Sequence, residues 1–144
     1  AQQNEPHVSG HTAYYKGGTI KITKYDLAPS FESDKTTLVI YYSFTNKSGK
    51  LLTPASTLLG VVNATQESDT SIVDLSMGNV AESYTSAHPD EEDLEMAGTN
   101  KVKSGATVNC AYEYELDNTT YPVKLKFTDP DSGQSIGTIK LNVK

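Results

Sequence analysis

The sequence predicts an all-β fold, two antiparallel sheets packed as a sandwich, and three observations carry the prediction. Apolar and polar residues alternate with period two in the clearest segments, LVIYYSFT (38–45) and TVNCAYEYEL (107–116), so each can turn one face to a core. Turn chemistry interrupts such segments at intervals that suit a sandwich, as in NKSG (46–49) and DPDSGQ (129–134). No stretch of useful length has the 3.6-residue period of a helix with one apolar face. A chain of 144 residues suits about one domain. It can remove roughly two-thirds of its unfolded surface on folding, enough for a core without disulfides.

Along the chain, residues 1–12 have no period and few apolar side chains, which predicts a flexible N-terminal tether followed by one sandwich domain over 13–144. In TIKITKYDL (19–27), Ile20 and Ile22 share a face while Tyr25 and Leu27 fall on the opposite phase. One extra residue near Thr23–Lys24, a β-bulge, would restore the alternation. In 38–45, Leu38, Ile40, Tyr42 and Phe44 share the inner face, and Val39, Tyr41, Ser43 and Thr45 the outer one. Residues 57–65 (TLLGVVNAT) form a shorter strand candidate and 71–76 a weaker one. Residues 77–100, with the acidic run Asp90, Glu91, Glu92 and Asp93, read as a long loop with room for a helical turn.

The last third is clearer. Val108, Cys110, Tyr112, Tyr114 and Leu116 face inward, with Thr107, Asn109, Ala111, Glu113 and Glu115 outward. In 121–128, Tyr121, Val123, Leu125 and Phe127 face in; in 135–143, Ile139, Leu141 and Val143 do. Pro130 presets the first central dihedral of the turn between these two strands, and Gly133 takes the positive φ that closes it. The four-residue link 117–120 either closes a hairpin that sets Glu113 opposite Lys124, or crosses from one sheet to the other.

The charge balance, −6, argues against the positive stripe that nucleic acids and anionic membrane surfaces require. One cysteine, Cys110, precludes an internal disulfide, as in a reducing compartment or in proteins exported by Gram-positive bacteria. No apolar run is long enough to cross a membrane as a helix. The polar start AQQNEPHVSGH, with no initiator Met, reads as a mature N-terminus whose signal segment has been removed, or as an arbitrary boundary.

No catalytic or cofactor motif is present: there is no nucleophile elbow, phosphate loop or dinucleotide fingerprint. His7 and His11 are four apart near Glu5, a metal-chelating spacing on a helix, but Pro6 and Gly10 argue against one there. His88 reads as a solvent-facing loop residue. Cys110 falls on the inward phase, where a thiol is inert. The run 90–93 and the D-x-D-x-G of 129–133 offer oxygen ligands for calcium, yet each reads first as a solvated loop or a hairpin turn. Glu113 and Glu115 would lie about 7 Å apart on one strand face, a spacing for paired-carboxylate chemistry, although outward glutamates ordinarily keep a strand wet. Three sequons, at Asn46, Asn63 and Asn118, fall in or beside turns. The expectation is therefore no catalytic residue, no cofactor and no metal.

LVIYYSFTNKSG, KVKSGATVNCAYEYEL and YPVKLKFTDPDSGQSIGTIKLNV together resemble the uncharacterised immunoglobulin-like domains of small secreted lipoproteins of Gram-positive bacteria. The wider group is similar to a secreted mycobacterial antigen with such a sandwich. The resemblance covers roughly 14–144. It implies an immunoglobulin-like β-sandwich of seven to nine antiparallel strands with Greek-key connections, in which the 117–120 link crosses between sheets. It also implies an extracellular or cell-surface location and brings no catalytic residues. The functional expectation is a protein-interaction module of a secreted lipoprotein. Its unknown partner is a protein or the cell wall, it binds no nucleic acid, and it meets the membrane only through a lipid anchor upstream of this chain. Val39 and Tyr41 on the outer strand face, extended by Tyr14 and Tyr15, are the candidate interaction residues, because aromatics are enriched where proteins bind partners. A structural spacer of the cell envelope and a small hydrolase are the alternatives.

Overall fold

The computed structural model describes residues 6–32 and 34–143. The first sheet has five antiparallel strands. These are β1 (His7–Ser9), β2 (Thr12–Tyr15), β3 (Gly18–Pro29), β4 (Thr36–Asn46) and, beside β4, the later strand β7 (Thr107–Glu115). The second sheet pairs β6 (Ile72–Asp74), β5 (Val62–Glu67), β8 (Val123–Thr128) and β9 (Ser135–Leu141), in that order and all antiparallel. Three short helices complete the chain: α1 (Pro54–Val61), α2 (Glu82–Ala87) and α3 (Pro89–Ala97).

The alternation does what the sequence predicts on the inner faces. Ile20, Ile22, Leu38, Ile40, Tyr42 and Phe44 from the first sheet bury against Val123, Leu125, Phe127, Ile139 and Leu141 from the second. Each large side chain so buried contributes about 1.5–3 kcal/mol relative to exposure. The bulge is present: the β3–β4 register shifts between Ile22 and Lys24. The β8–β9 turn closes with Gly133 at φ 74°. The 117–120 link crosses between the sheets, since β7 pairs with β4 while β8 pairs with β5 and β9. Glu113 therefore lies opposite Val39, and Lys124 opposite Thr65 and Lys140. Gln66, buried in β5, holds this crossing: its amide and carbonyl make four hydrogen bonds to the backbone of 117–121.

The structure corrects four readings. Residues 7–12, read as tether, form β1 and enter β2; Val8 packs on the core and seats against Gly137 of β9. Residues 1–5 lie outside the described ones. The segment 57–65 is helix before it is strand, because Pro54, Leu58 and Val61 recur at helical spacing and share the buried face of α1. Residues 77–100 carry two helices rather than a loop. Pro89 at the start of α3 and acidic residues in its first turn favour helix there. Tyr121, expected in the core, is only half-buried and sits in the crossing, where its hydroxyl donates to Asp69 at 2.8 Å.

The NKSG turn is scaffold. Asn46 is wholly buried; its amide donates to the Lys50 and Val102 carbonyls (2.8 and 2.9 Å), and its Oδ1 accepts from the Ser48 amide and hydroxyl. The Asn46 sequon is therefore inaccessible in the folded chain, whereas Asn63 is exposed on β5 and Asn118 lies in the crossing.

Candidate functional site

The outer face of β4 is not a surface. Val39 is 0% and Tyr41 7% exposed. Both lie in a second apolar layer with Ala28, Ala111 and Tyr84, against which Leu94 of α3 packs. The expected interaction face fails on both residues, because α2 and α3 cover the strand that the alternation left apolar on both sides. Tyr15 is buried toward the sandwich core, and Tyr14, at 37% exposed, stacks on His7 with ring centroids 4.7 Å apart. The four residues form no common patch, since β3 separates β2 from β4.

What covers this face is polar at its centre. The Tyr41 and Tyr84 hydroxyls lie 2.6 Å apart, and Tyr84 donates onward to Asp26 Oδ2 at 3.3 Å. The His88 ring stacks on Tyr84 at 4.0 Å, and its Nε2 is 3.8 Å from Asp26 Oδ2, while the residue stays exposed to solvent as expected. Lys24 Nζ sits 4.6 Å over the Tyr41 ring, a cation–π contact.

Beside this network stand three glutamates. Glu91 and Glu95 are one turn apart on α3, and Glu113, expected to face water, rises from β7 beneath them. One carboxylate oxygen from each lies within 4.8 Å of the others. Glu91 is 2% and Glu113 4% exposed. Burial, followed by the contact with Glu91 and the charge of Glu95, pushes the Glu113 carboxyl up to about 9; burial first and the Glu91 charge second raise Glu95. Glu91 and Glu95 also line an open groove of about 550 Å³, with Phe31, Asn79, Val80, Glu82, Thr85 and Glu92. The available signal was the i, i+4 pair Glu91/Glu95 after Pro89. Glu113 carried none, because its partners come from an element about 20 residues away.

A second cleft, of about 590 Å³, opens at the other end of the first sheet. Lys16, Lys47 and Lys50 rim it, Leu52, Val61 and Pro130 supply apolar wall, and Tyr15 contributes from β2. Lys16 reaches Asp131 at only 3.9 Å with both side chains exposed, a pair worth little. Lys47 and Lys50 have no ion-pair partner among the described residues.

The remaining candidates are structural. Cys110 is buried, and burial raises its thiol to about 11, far from the range of a nucleophile. Asp129 Oδ2 accepts from the Ser132 amide and hydroxyl, so the D-x-D-x-G segment is a self-bonded hairpin turn. Residues 90–93 open α3 rather than forming a loop. Glu113 and Glu115 do not form an exposed pair, the first being buried. His7 lies in β1 and His11 in the β1–β2 turn, on no helix; Glu5 lies outside the described residues.

This architecture recurs in solved structures. A candidate lipoprotein from Staphylococcus aureus superposes with a TM-score of 0.81 at 16% identity, over 96% of this chain and 92% of that one. A protein from Enterococcus faecalis gives 0.76 at 16% identity, over 99% and 96%. An uncharacterised β-sandwich protein from Clostridium difficile gives 0.51 at 12% identity, over 95% and 89%. At such identities the likeness shows the fold, an antiparallel β-sandwich found in proteins of Gram-positive bacteria. The search of curated proteins finds no match. The family model described as "Domain of unknown function (DUF5067)" matches residues 1–129, nearly the whole sandwich. The chain thus belongs to the DUF5067 family of β-sandwich domains.

Proposed function

We propose that this chain is a non-catalytic binding module of a secreted lipoprotein, displayed outside the cell or at its surface, whose lysine-rimmed cleft takes an anionic partner. The observation that carries this reading is the gathering of Lys16, Lys47 and Lys50 around an apolar wall in a chain of net charge −6. Asp131, beside Lys16, also lines the cleft, so an anionic group there is attracted chiefly by Lys47 and Lys50, while Leu52 and Val61 offer surface to an apolar neighbour. The partner is an acidic protein segment or a cell-wall chain. Nucleic acid is disfavoured by the overall charge, and membrane contact comes only through a lipid anchor outside this chain. The lipoprotein description of the S. aureus neighbour supports the location. A hydrolase reading is weaker, because Glu91 and Glu113 are buried too deeply to reach a polymeric substrate.

Crosslinking capture from an envelope fraction tests the reading, with the native domain and a Lys16→Ser/Lys47→Ser/Lys50→Ser variant as baits. Substitutions at such exposed sites leave stability within about 0.5 kcal/mol each. A partner held by the native domain, released by added salt and lost by the variant supports the module. Equal or empty captures remove the cleft and leave a structural spacer of the envelope.

A further inference from the structure

We propose that Glu91, Glu95 and Glu113 form a site for a hard divalent cation of the calcium type, entered from the acidic groove between α2 and α3. Three features carry it. The first is the donor set: three carboxylates, one oxygen of each within 4.8 Å of the others. Oxygens bound to one calcium ion at about 2.3–2.6 Å can be no more than about 5 Å apart, so the three fit one ion. All-carboxylate donors suit calcium, magnesium or manganese, whereas zinc prefers nitrogen and sulfur.

The second feature is independent of the clustering. Glu91 Oε1 and Glu113 Oε2 are buried and meet no hydrogen-bond donor from outside the cluster among the described residues, on side chains 2% and 4% exposed. A buried carboxylate is retained at such a position only if something neutralises it. No lysine or histidine forms an ion pair with any of the three among the described residues. Among the polar groups near the cluster, the Tyr41 hydroxyl is bonded to that of Tyr84, and Tyr112 and Glu92 lie close to Glu95.

The third is access. Glu82 and Glu92 line the same groove as Glu91 and Glu95, and no lysine does. Such a mouth concentrates cations. On binding, an oxygen of each carboxylate ligates the cation, and nothing is oxidised or reduced. Three carboxylates supply three to six oxygens, and water completes the shell. The bound ion would pin α3 to β7. This site is separate from the lysine-rimmed cleft and does not depend on it.

The test is thermal unfolding of the chelator-treated domain in calcium chloride against sodium chloride of equal ionic strength, with titration calorimetry at pH 7. Calcium about 100-fold above its dissociation constant should raise Tm by about 5–10 °C and give a saturable binding heat. Glu113→Gln should fold and lose both effects. Glu95→Gln, at a half-buried position where folding is safe, should also lose the Tm shift. The proposal is overturned if calcium, magnesium and manganese all leave the native Tm unmoved. It is equally overturned if both variants keep the native shift, which would place the ion elsewhere.

Discussion

Replacing Gln66 by Ala should loosen the connection that makes this fold a sandwich. Gln66 is 1% exposed. Its Nε2 donates to the carbonyls of Asn118 (2.7 Å) and Tyr121 (2.8 Å), and its Oε1 accepts from the amides of Asp117 (2.9 Å) and Asn118 (3.2 Å). All four bonds go to the segment that carries the chain from the first sheet to the second. Each is worth about 0.5–1.5 kcal/mol net, so the set is worth about 2–6 kcal/mol. Residues 117–120 are largely exposed, so water re-solvates part of the freed backbone and the expectation falls to about 2–4 kcal/mol. At about 2–4 °C per kcal/mol for a chain of this size, Tm should fall by about 4–16 °C. Urea unfolding followed by circular dichroism measures it, with the m-value as a check on the unfolded state. Gln66→Glu keeps the two accepting positions but loses both amide donors and buries a charge. It should match the Ala variant at neutral pH and recover partly in acid, where the protonated carboxyl regains one donor. A loss under about 1 kcal/mol at unchanged m would refute the argument that this side chain holds the crossing.

Two further outcomes follow from the packing. Gly137 has φ 147°, and a Cβ there would stand 2.7 Å from Cβ of Val8. Gly137→Val should therefore cost about 1–3 kcal/mol by overpacking; a denaturation curve reads it, and a partial rescue by Val8→Gly locates the clash. In cation-free buffer, stability should fall as pH rises from about 4.5 towards 9. Over that range folded Glu113 keeps a proton that the unfolded carboxyl has released, so the native state binds more protons. The slope is at most about 1.4 kcal/mol per pH unit. Glu113→Gln should flatten it, and an unchanged slope would remove Glu113 as its source.

The inner faces were legible because strand alternation is local. Leu38, Ile40, Tyr42 and Phe44 turn inward wherever the strand lies, and the bulge at 22–24 follows from the phase slip between Ile22 and Tyr25. The helices were harder. The buried face of α1 rests on three residues within an apolar run that also fits a strand. The buried face of α3 includes Glu91, a residue type whose burial no hydrophobic pattern announces. The outer face of β4 did carry a signal that was misread. Val39 and Tyr41 alternate with apolar neighbours on the other side, and a strand apolar on both faces is ordinarily covered on both. The expected Tyr41 patch failed for that reason.

The sequence by itself determined an all-β chain with one core, its turns and its bulge, because backbone period and turn chemistry are properties of neighbours. Only the tertiary structure decided what lies over the outer face. It set α3 against β7, so that Glu113 meets Glu91 and Glu95, and it brought Lys16 to Lys47 and Lys50. Those meetings depend on residues distant in the chain, and burial of a charged group is settled by what packs on it, not by its place in an alternating strand.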